Sequence, residues 1–373
     1  MAVNLLAALG NRYDAAALGA ARAAAESAGY GLLRVDGPDE RLAAWIDWRF
    51  APSWWSSEVR AGSAWYAMRD GEIAGFAAFG ARDLPFPWLR AYRARADVGV
   101  FGPYGVAEEH RGTAVGPALL TAALCSLAES YPAALIPAVA EGRLAHLYEQ
   151  RTGAAVVDVF SYDVPKARAV ILASGSGTNA QNVIDRAAAG ELALDIAAVI
   201  ANSAGARVLE RARDARIAAE PVVWARGAET RAAYDARVIA ATARYEPDLV
   251  LLLGWMHLLP QAFLERFPET INVHPAFLPF DPRAEDVTMP DGSRIAAFRG
   301  GRSPEAAAAA GVRWSGATVH RVTAEADRGA VLVRTPVALH PPLSTDEVHE
   351  RIRPLEYAAV PKAIRRWGFE RKL

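Results

Sequence analysis

Between Ala169 and Val273 the chain repeats one unit: a short, almost wholly apolar run, then a segment of helix length. The runs are Ala169–Ala173, Asp195–Ala201, Pro221–Trp224, Asp248–Leu253 and Thr270–Val273. Apart from Thr270–Val273, none alternates polar with apolar positions, so those four do not read as strands with one face in water. Such runs suit parallel strands covered on both faces. Helices are expected from Thr178 to about Ala188, and over Ala204–Arg213, Glu229–Arg244 and Gln261–Phe267. Strand and helix in strict alternation predict a doubly wound α/β sheet.

In such a sheet, ligands bind beyond the carboxyl ends of the strands. Two strand ends carry chemistry. Ser174-Gly175-Ser176-Gly177-Thr178-Asn179 joins a strand to a helix. Glycines there let a backbone approach an anion, and the helix N-terminus attracts it. A dinucleotide site would need an acid at the end of the next strand, where Ala201-Asn202-Ser203 stands, so NAD is excluded. The second end is Thr270-Ile271-Asn272-Val273-His274-Pro275. Period two puts Asn272 and His274 on one side, and the proline ends the strand. An amide and an imidazole together suit acyl transfer, one bonding an oxyanion and the other moving a proton. A satisfied core asparagine beside a turn-capping histidine fits the same residues.

The first half reads differently. Alanine-rich Asn4–Ala28 predicts one or two helices. Trp45, Trp48, Phe50, Trp54 and Trp55 read as core and interface filler, or as a pocket rim. Asp70-Gly71 between the apolar runs Ser63–Met68 and Glu72–Gly80 is a hairpin signal. A strand over Ala96–Gly105 leads into Val106 and the turn Arg111-Gly112-Thr113-Ala114-Val115-Gly116, then a helix to about Ser130. That turn aims backbone N–H groups at an anion such as a pyrophosphate. A strand (Ala134–Val139), a helix (Arg143–Arg151) and a strand (Ala155–Tyr162) follow.

From about residue 60 to 162 this order resembles the GNAT family of acyl-CoA N-acyltransferases. The resemblance implies an α+β fold and a site for acetyl-CoA or another acyl-CoA at Val106, Arg111, Gly112, Ala114 and Gly116. Tyr148 would match the tyrosine that protonates the leaving thiolate. Ala114 stands where the family usually has glycine, and Gly142 where it often has asparagine. A degenerate domain kept for binding or scaffolding is the alternative. Proline-bearing Ser161–Arg168 marks the seam, giving domains 1–163 and 168–373.

From about Ala169 onward the chain resembles folate-dependent formyltransferases of the phosphoribosylglycinamide formyltransferase type. The glycine loop, Gly254-Trp255-Met256, Asn272-Val273-His274-Pro275 and the loop bearing Asp327 come in that family's order. The resemblance implies a Rossmann-like fold and a catalytic trio of Asn272, His274 and Asp327. Asp327 would favour the protonated imidazole. The folate, 10-formyltetrahydrofolate, would lie against Met256, His257, Leu258 and Leu259 and against Thr323, Ala324, Glu325 and Ala326. Ser176, Gly177, Thr178 and Asn179 would hold the acceptor's phosphate, and Glu356 its amine. His320 would stand behind the trio. The extra stretch Phe280–Ser293 has no counterpart in that family and contains a turn, Pro290-Asp291-Gly292-Ser293, so it predicts a hairpin or a lid.

The implied function is transfer of a formyl group to a small-molecule primary amine, glycinamide-ribonucleotide-like or from a specialised pathway. Acyl transfer by the first domain would be a second activity. Hydrolysis of the formyl-folate is the alternative within the same fold. The 373 residues carry a formal charge of −1, which offers no electrostatic footprint for nucleic acid. One cysteine, Cys125, excludes an intramolecular disulfide and a cysteine-rich metal site. With no signal-peptide pattern and no bilayer-length apolar run, the expectation is a cytoplasmic protein that leaves membranes alone.

Overall fold

The computed structural model describes residues 1–81 and 83–371. Two seven-stranded sheets organise them. Strands β1 (Ala2–Ala8), β2 (Gly31–Asp36), β3 (Ser63–Arg69), β4 (Glu72–Phe79), β5 (Val98–Val106), β6 (Ala133–Ala140) and β7 (Ala155–Phe160) form the first, in the order β2-β3-β4-β5-β6-β1-β7. Its only parallel pair is β5 with β6, and these two touch over Val98–Val100 and Ala133–Leu135 alone. Beyond that the two strands are no longer paired. Helices α1 (Ala15–Ser27), α2 (Glu40–Arg49), α3 (Trp55–Arg60), α4 (Val115–Ala128) and α5 (Arg143–Thr152) cover the sheet.

The first eight residues overturn the helical expectation for Asn4–Ala28. Ala2–Ala8 is a strand held on both edges, by β6 and by β7. Alanine and leucine are good helix formers, but propensity is a weak guide that tertiary context overrides. Here two neighbours supply ladder bonds while Leu5 and Ala7 are fully buried. Helix appears only from Ala15, after Asp14 caps the Ala17 N–H at 2.8 Å.

Strands β8 (Ala167–Ala173), β9 (Leu194–Ala201), β10 (Ala218–Pro221), β11 (Leu249–Leu252) and β12 (Thr270–His274) are parallel. Two antiparallel strands, later in sequence, complete this second sheet on the β12 side. Between β12 and that pair in the chain stands a separate hairpin of β13 (Asp286–Thr288) and β14 (Arg294–Ala296). The two added strands are β15 (Trp314–Arg321) and β16 (Val331–Ala338), and the order is β10-β9-β8-β11-β12-β15-β16. The run expected at Pro221–Trp224 instead lies at Ala218–Pro221 and stops at its proline, which has no N–H for a ladder. Helices α6 (Thr178–Ala188), α7 (Arg207–Asp214), α8 (Arg231–Ala243), α9 (Gln261–Arg266), α10 (Ser303–Ala309) and α11 (Thr345–Arg371) complete the half. Its strands are as dry as their sequences imply: Val170, Ile171, Leu172, Val199 and Leu251 are fully buried.

The tryptophan-rich stretch joins the halves. Trp48 meets Trp314 edge-on at 5.6 Å, Trp54 meets Phe369 at 6.0 Å, and Lys362 lies 4.1 Å above Trp54. Asp47 pairs with Arg334 at 2.6 Å, with both side chains at 0% exposure. Losing one partner of such a buried pair typically costs about 3–5 kcal/mol. The extra stretch forms the expected hairpin, but it is no free lid. Val287 and Met289 pack with Ala44 of the first half and with Phe277 and Trp314. No described helix is long and apolar enough to cross a membrane.

Candidate active site

Asn272 and His274 leave β12 on the same face, and a carboxylate meets both. Asp327 Oδ2 stands 3.4 Å from His274 Nδ1, and its Oδ1 accepts from Asn272 Nδ2 at 3.5 Å. The acid comes from the loop after β15. Its backbone is left-handed, at φ 55°, a conformation that aspartate tolerates better than most residues. Gly329 closes that loop so tightly that a Cβ would lie 1.6 Å from the Arg321 carbonyl oxygen. His320, opposite Asn272 in the ladder, completes the group. Its Nδ1 donates to the Arg321 carbonyl at 2.8 Å, and its Nε2 lies 3.2 Å from Asn272 Nδ2 and 3.4 Å from Asp327 Oδ1.

Burial first pushes the Asp327 carboxyl up. The bond from His320, the charge of His274 and the Gly300 N–H outweigh that and bring it down to about 2. His274 is 4% exposed. Burial drives its pKa below the ordinary value, and the nearby carboxylate of Asp327 opposes this without reversing it. Asp327 thus acts in the expected direction, favouring the protonated imidazole, but desolvation of the ring is the larger effect.

The segment Phe298–Ser303 lies over His274. The ring Nε2 donates to the Phe298 carbonyl at 2.8 Å, and the Ser303 hydroxyl is 3.1 Å from the same nitrogen. Gly300 N–H donates to Asp327 Oδ2 at 2.7 Å. The sequence reading missed these partners. The Gly300-Gly301 pair was their one signal, and Gly300 does adopt φ 83°. Arg299 also escaped it. This arginine donates to the Ala284 carbonyl at 2.8 Å and reaches the Asp327 carbonyl at 3.4 Å, tying the extra hairpin to the acid's loop.

On the other side of β12, the glycine loop enters α6 through Gly177, at φ 70°. A Cβ there would lie 2.4 Å from Val208. Ser176 is exposed and Thr178 half-buried. Asn179 Nδ2 donates to Glu356 Oε2 at 2.9 Å, while Asn179 Oδ1 is buried without a partner. Burial raises the Glu356 carboxyl above its usual range, against the Asn179 bond and the charges of His349 and Arg353. The loop and the glutamate, distant in sequence, thus meet.

The expected folate wall divides. Met256 and Leu258 are 61% and 64% exposed, and Thr323–Ala326 is exposed throughout. His257 turns inward to Tyr234, its Nδ1 2.9 Å from the hydroxyl, and Leu259 belongs to the core.

In the first half, Arg111 and Gly112 are exposed on the turn before α4, with Gly112 at φ 77°. Val106 and Ala114 are half-buried beside them. Gly116 is required by contact: a Cβ would sit 2.8 Å from the Tyr104 hydroxyl. Arg111 also lines a depression of about 360 Å³ with Trp48, Arg49, Phe50 and Glu109. Tyr148, on α5, packs edge-on against Phe101 just past the paired stretch of β5 and β6, and burial pushes its hydroxyl pKa up. Among the described residues no cluster suited to a metal ion occurs.

Known proteins match both halves. The family model described as formyl transferase matches residues 167–364, and that of the GNAT acetyltransferase family matches residues 21–153. A phosphoribosylglycinamide formyltransferase of Mycobacterium tuberculosis is 37% identical over 204 residues, 53% of this chain and 83% of that protein. One from Escherichia coli is 33% identical over 196 residues, 52% of this chain and 84% of that protein. The crystal structure of glycinamide ribonucleotide transformylase 1 from Symbiobacterium toebii aligns with a TM-score of 0.48 at 31% identity, over 57% of this chain and 92% of that one. The chain belongs to the formyl transferase family and carries a GNAT acetyltransferase domain ahead of its formyltransferase half.

Proposed function

We propose that residues 168–373 transfer the formyl group of 10-formyltetrahydrofolate to a primary amine on a small molecule, and that residues 1–163 form a separate acyl-CoA-dependent domain. The observation that carries this is the convergence of Asn272, His274 and Asp327 within 3.5 Å. The amine nitrogen attacks the formyl carbon, and Asn272 and His274 bond the oxygen that gains charge. The bond to folate N10 then breaks. The amine's proton passes by way of His274 and Asp327 to that nitrogen. For His274 Nε2 to reach the reacting oxygen, Phe298–Ser303 swings away on Gly300-Gly301, since Nε2 otherwise serves the Phe298 carbonyl.

The acceptor's anionic group sits at Ser176–Asn179, where the backbone turns into α6. Glu356 takes the amine. Met256 and Leu258 offer an apolar wall to the pterin. Phosphoribosylglycinamide, for which the relatives from Mycobacterium tuberculosis and Escherichia coli are named, has an anionic group and an amine to suit both halves of this recognition. The hairpin at 286–296 is an addition to this chain after the strand that bears His274, so amines of other shapes belong in the test.

In the first domain, acyl-CoA would lie where β5 and β6 cease to pair, its pyrophosphate against Arg111–Gly116, with Tyr148 protonating the thiolate. The test incubates the protein with 10-formyltetrahydrofolate and a panel of amines, phosphoribosylglycinamide included, and follows tetrahydrofolate release. Release that depends on the amine supports the reading. Formate release without any amine would make the protein a hydrolase. Absence of both folate binding and turnover would end the proposal.

A further inference from the structure

Three strands set His274, Thr318 and Arg334 side by side. His274 faces Thr318 across β12 and β15, and Thr318 faces Arg334 across β15 and β16. Directly opposed residues on neighbouring strands present their side chains to the same face. Past His274 the chain turns back over this row. Thr318 Oγ1 donates to the Ala276 carbonyl at 2.7 Å and accepts from Leu278 N–H at 3.0 Å. Arg334 Nη1 donates to the Leu278 carbonyl at 2.8 Å. Its guanidinium lies 4.3 Å from the Phe277 ring and 3.9 Å from that of Phe280. Residues 276–280 are thus shaped around one arginine.

That arginine is fully buried, and its carboxylate partner comes from outside the formyltransferase half. Asp47, in the last turn of α2, accepts from Arg334 Nε at 2.6 Å. Ser56 at the start of α3 holds the other carboxylate oxygen of Asp47. A guanidinium without a counter-charge is not stable in such a place. Without Asp47, Arg334 would be driven toward water, away from Leu278, Phe277 and Phe280.

We infer that Asp47 and Arg334 are positioning residues for formyl transfer, through which the N-terminal half fixes the segment following His274. This rests on the function proposed above for His274. The GNAT domain is then a structural member of the other domain's site, whatever its own chemistry. Misplacing a reacting group by about 1 Å can cost on the order of a hundredfold in rate, so the pair has a kinetic signature. Disturbing it lowers kcat while leaving KM for the folate nearly unchanged, because the exposed folate wall at Met256 and Leu258 is untouched.

The test uses the full chain with Asp47→Asn, close to isosteric but uncharged, and Ser56→Ala, a milder loosening of the same carboxylate. Hydrogen exchange over residues 274–280 is measured beside turnover. Asp47→Asn should lower kcat about tenfold or more, with KM for 10-formyltetrahydrofolate within about twofold. Exchange at 274–280 should speed up in both variants, while exchange in α1 stays as in the wild type. If Asp47→Asn does not fold, Ser56→Ala with the exchange readout decides alone. Unchanged exchange at 274–280 in a folded variant, or full kcat in Asp47→Asn, would overturn the inference. A wild-type protein that neither binds folate nor turns over removes the function proposed for His274, and the exchange result still reports separately on the positioning contact.

Discussion

Asn179 and Glu356 lie at opposite ends of the formyltransferase half in sequence, yet the amide of one donates to the carboxylate of the other at 2.9 Å. One atom of that pair, Asn179 Oδ1, is buried with nothing to bond. A substrate amine would bond both the free carbonyl and the carboxylate. Glu356→Gln keeps the shape and removes the charge. Bonds to charged groups contribute about 1.5–3 kcal/mol, so kcat/KM for the amine should drop about tenfold to a hundredfold. Folate affinity, read by fluorescence titration, should not move. A variant that loses folate affinity and keeps its amine KM would put the acceptor elsewhere.

Asn272 and His274 should each be costly to remove. Loss of one oxyanion donor typically slows a reaction about 10²–10³-fold. Asn272→Ala and His274→Ala are expected in that range in single-turnover formyl transfer. A rate within about threefold of wild type for either would strip it of this role.

The ionisation of His274 gives a signed pH prediction. Burial lowers its pKa, and Asp327 pulls the other way. Asp327→Asn removes the group that favours the imidazolium, so the His274 titration should move to still lower pH. Proton NMR of the ring, assigned with His274→Ala, reads this directly. Movement upward would mean that the carboxylate does not face the ring in solution.

Glu58 links pH to stability. It lies near Arg366 and Lys362 in the seam between the halves, and burial pushes it from 4.5 up to about 7. The folded state therefore holds this proton more tightly than the unfolded chain does. The contribution is fully present below about pH 4.5 and is lost as pH rises through about 7. Glu58→Gln should raise Tm at pH 8 and change it little at pH 5. An equal shift at both pH values would point to packing in place of ionisation.

Tyr148 tests the first domain. Its raised pKa keeps the hydroxyl protonated throughout the physiological range, as a proton donor to a thiolate requires. Tyr148→Phe should leave acetyl-CoA binding in calorimetry near wild type and slow any acyl transfer at least about tenfold. If the wild type shows no heat with acetyl-CoA, the domain is not an acyl-CoA site.

How far the sequence reaches follows from the kind of contact involved. Asn272 and His274 were legible because period two and a terminating proline are local. The glycine loop was legible for the same reason. Asp327 stands in a loop of Thr, Ala and Glu, and only the family resemblance singled it out. Asp47 sits between Ile46 and Trp48 in a helix and gives no local hint that its partner lies on β16. β1 was misread because Ala-Val-Asn-Leu-Leu-Ala-Ala suits either period, and the deciding neighbours are distant in the chain.

That first strand has a consequence for biosynthesis. Ala2–Ala8 is translated well before its two flanking strands, Ala133–Ala140 and Ala155–Phe160. Domains generally fold as units during synthesis. This one cannot close until nearly its whole length has been translated. Until then Ala2–Ala8 lacks both strands that later complete its ladder.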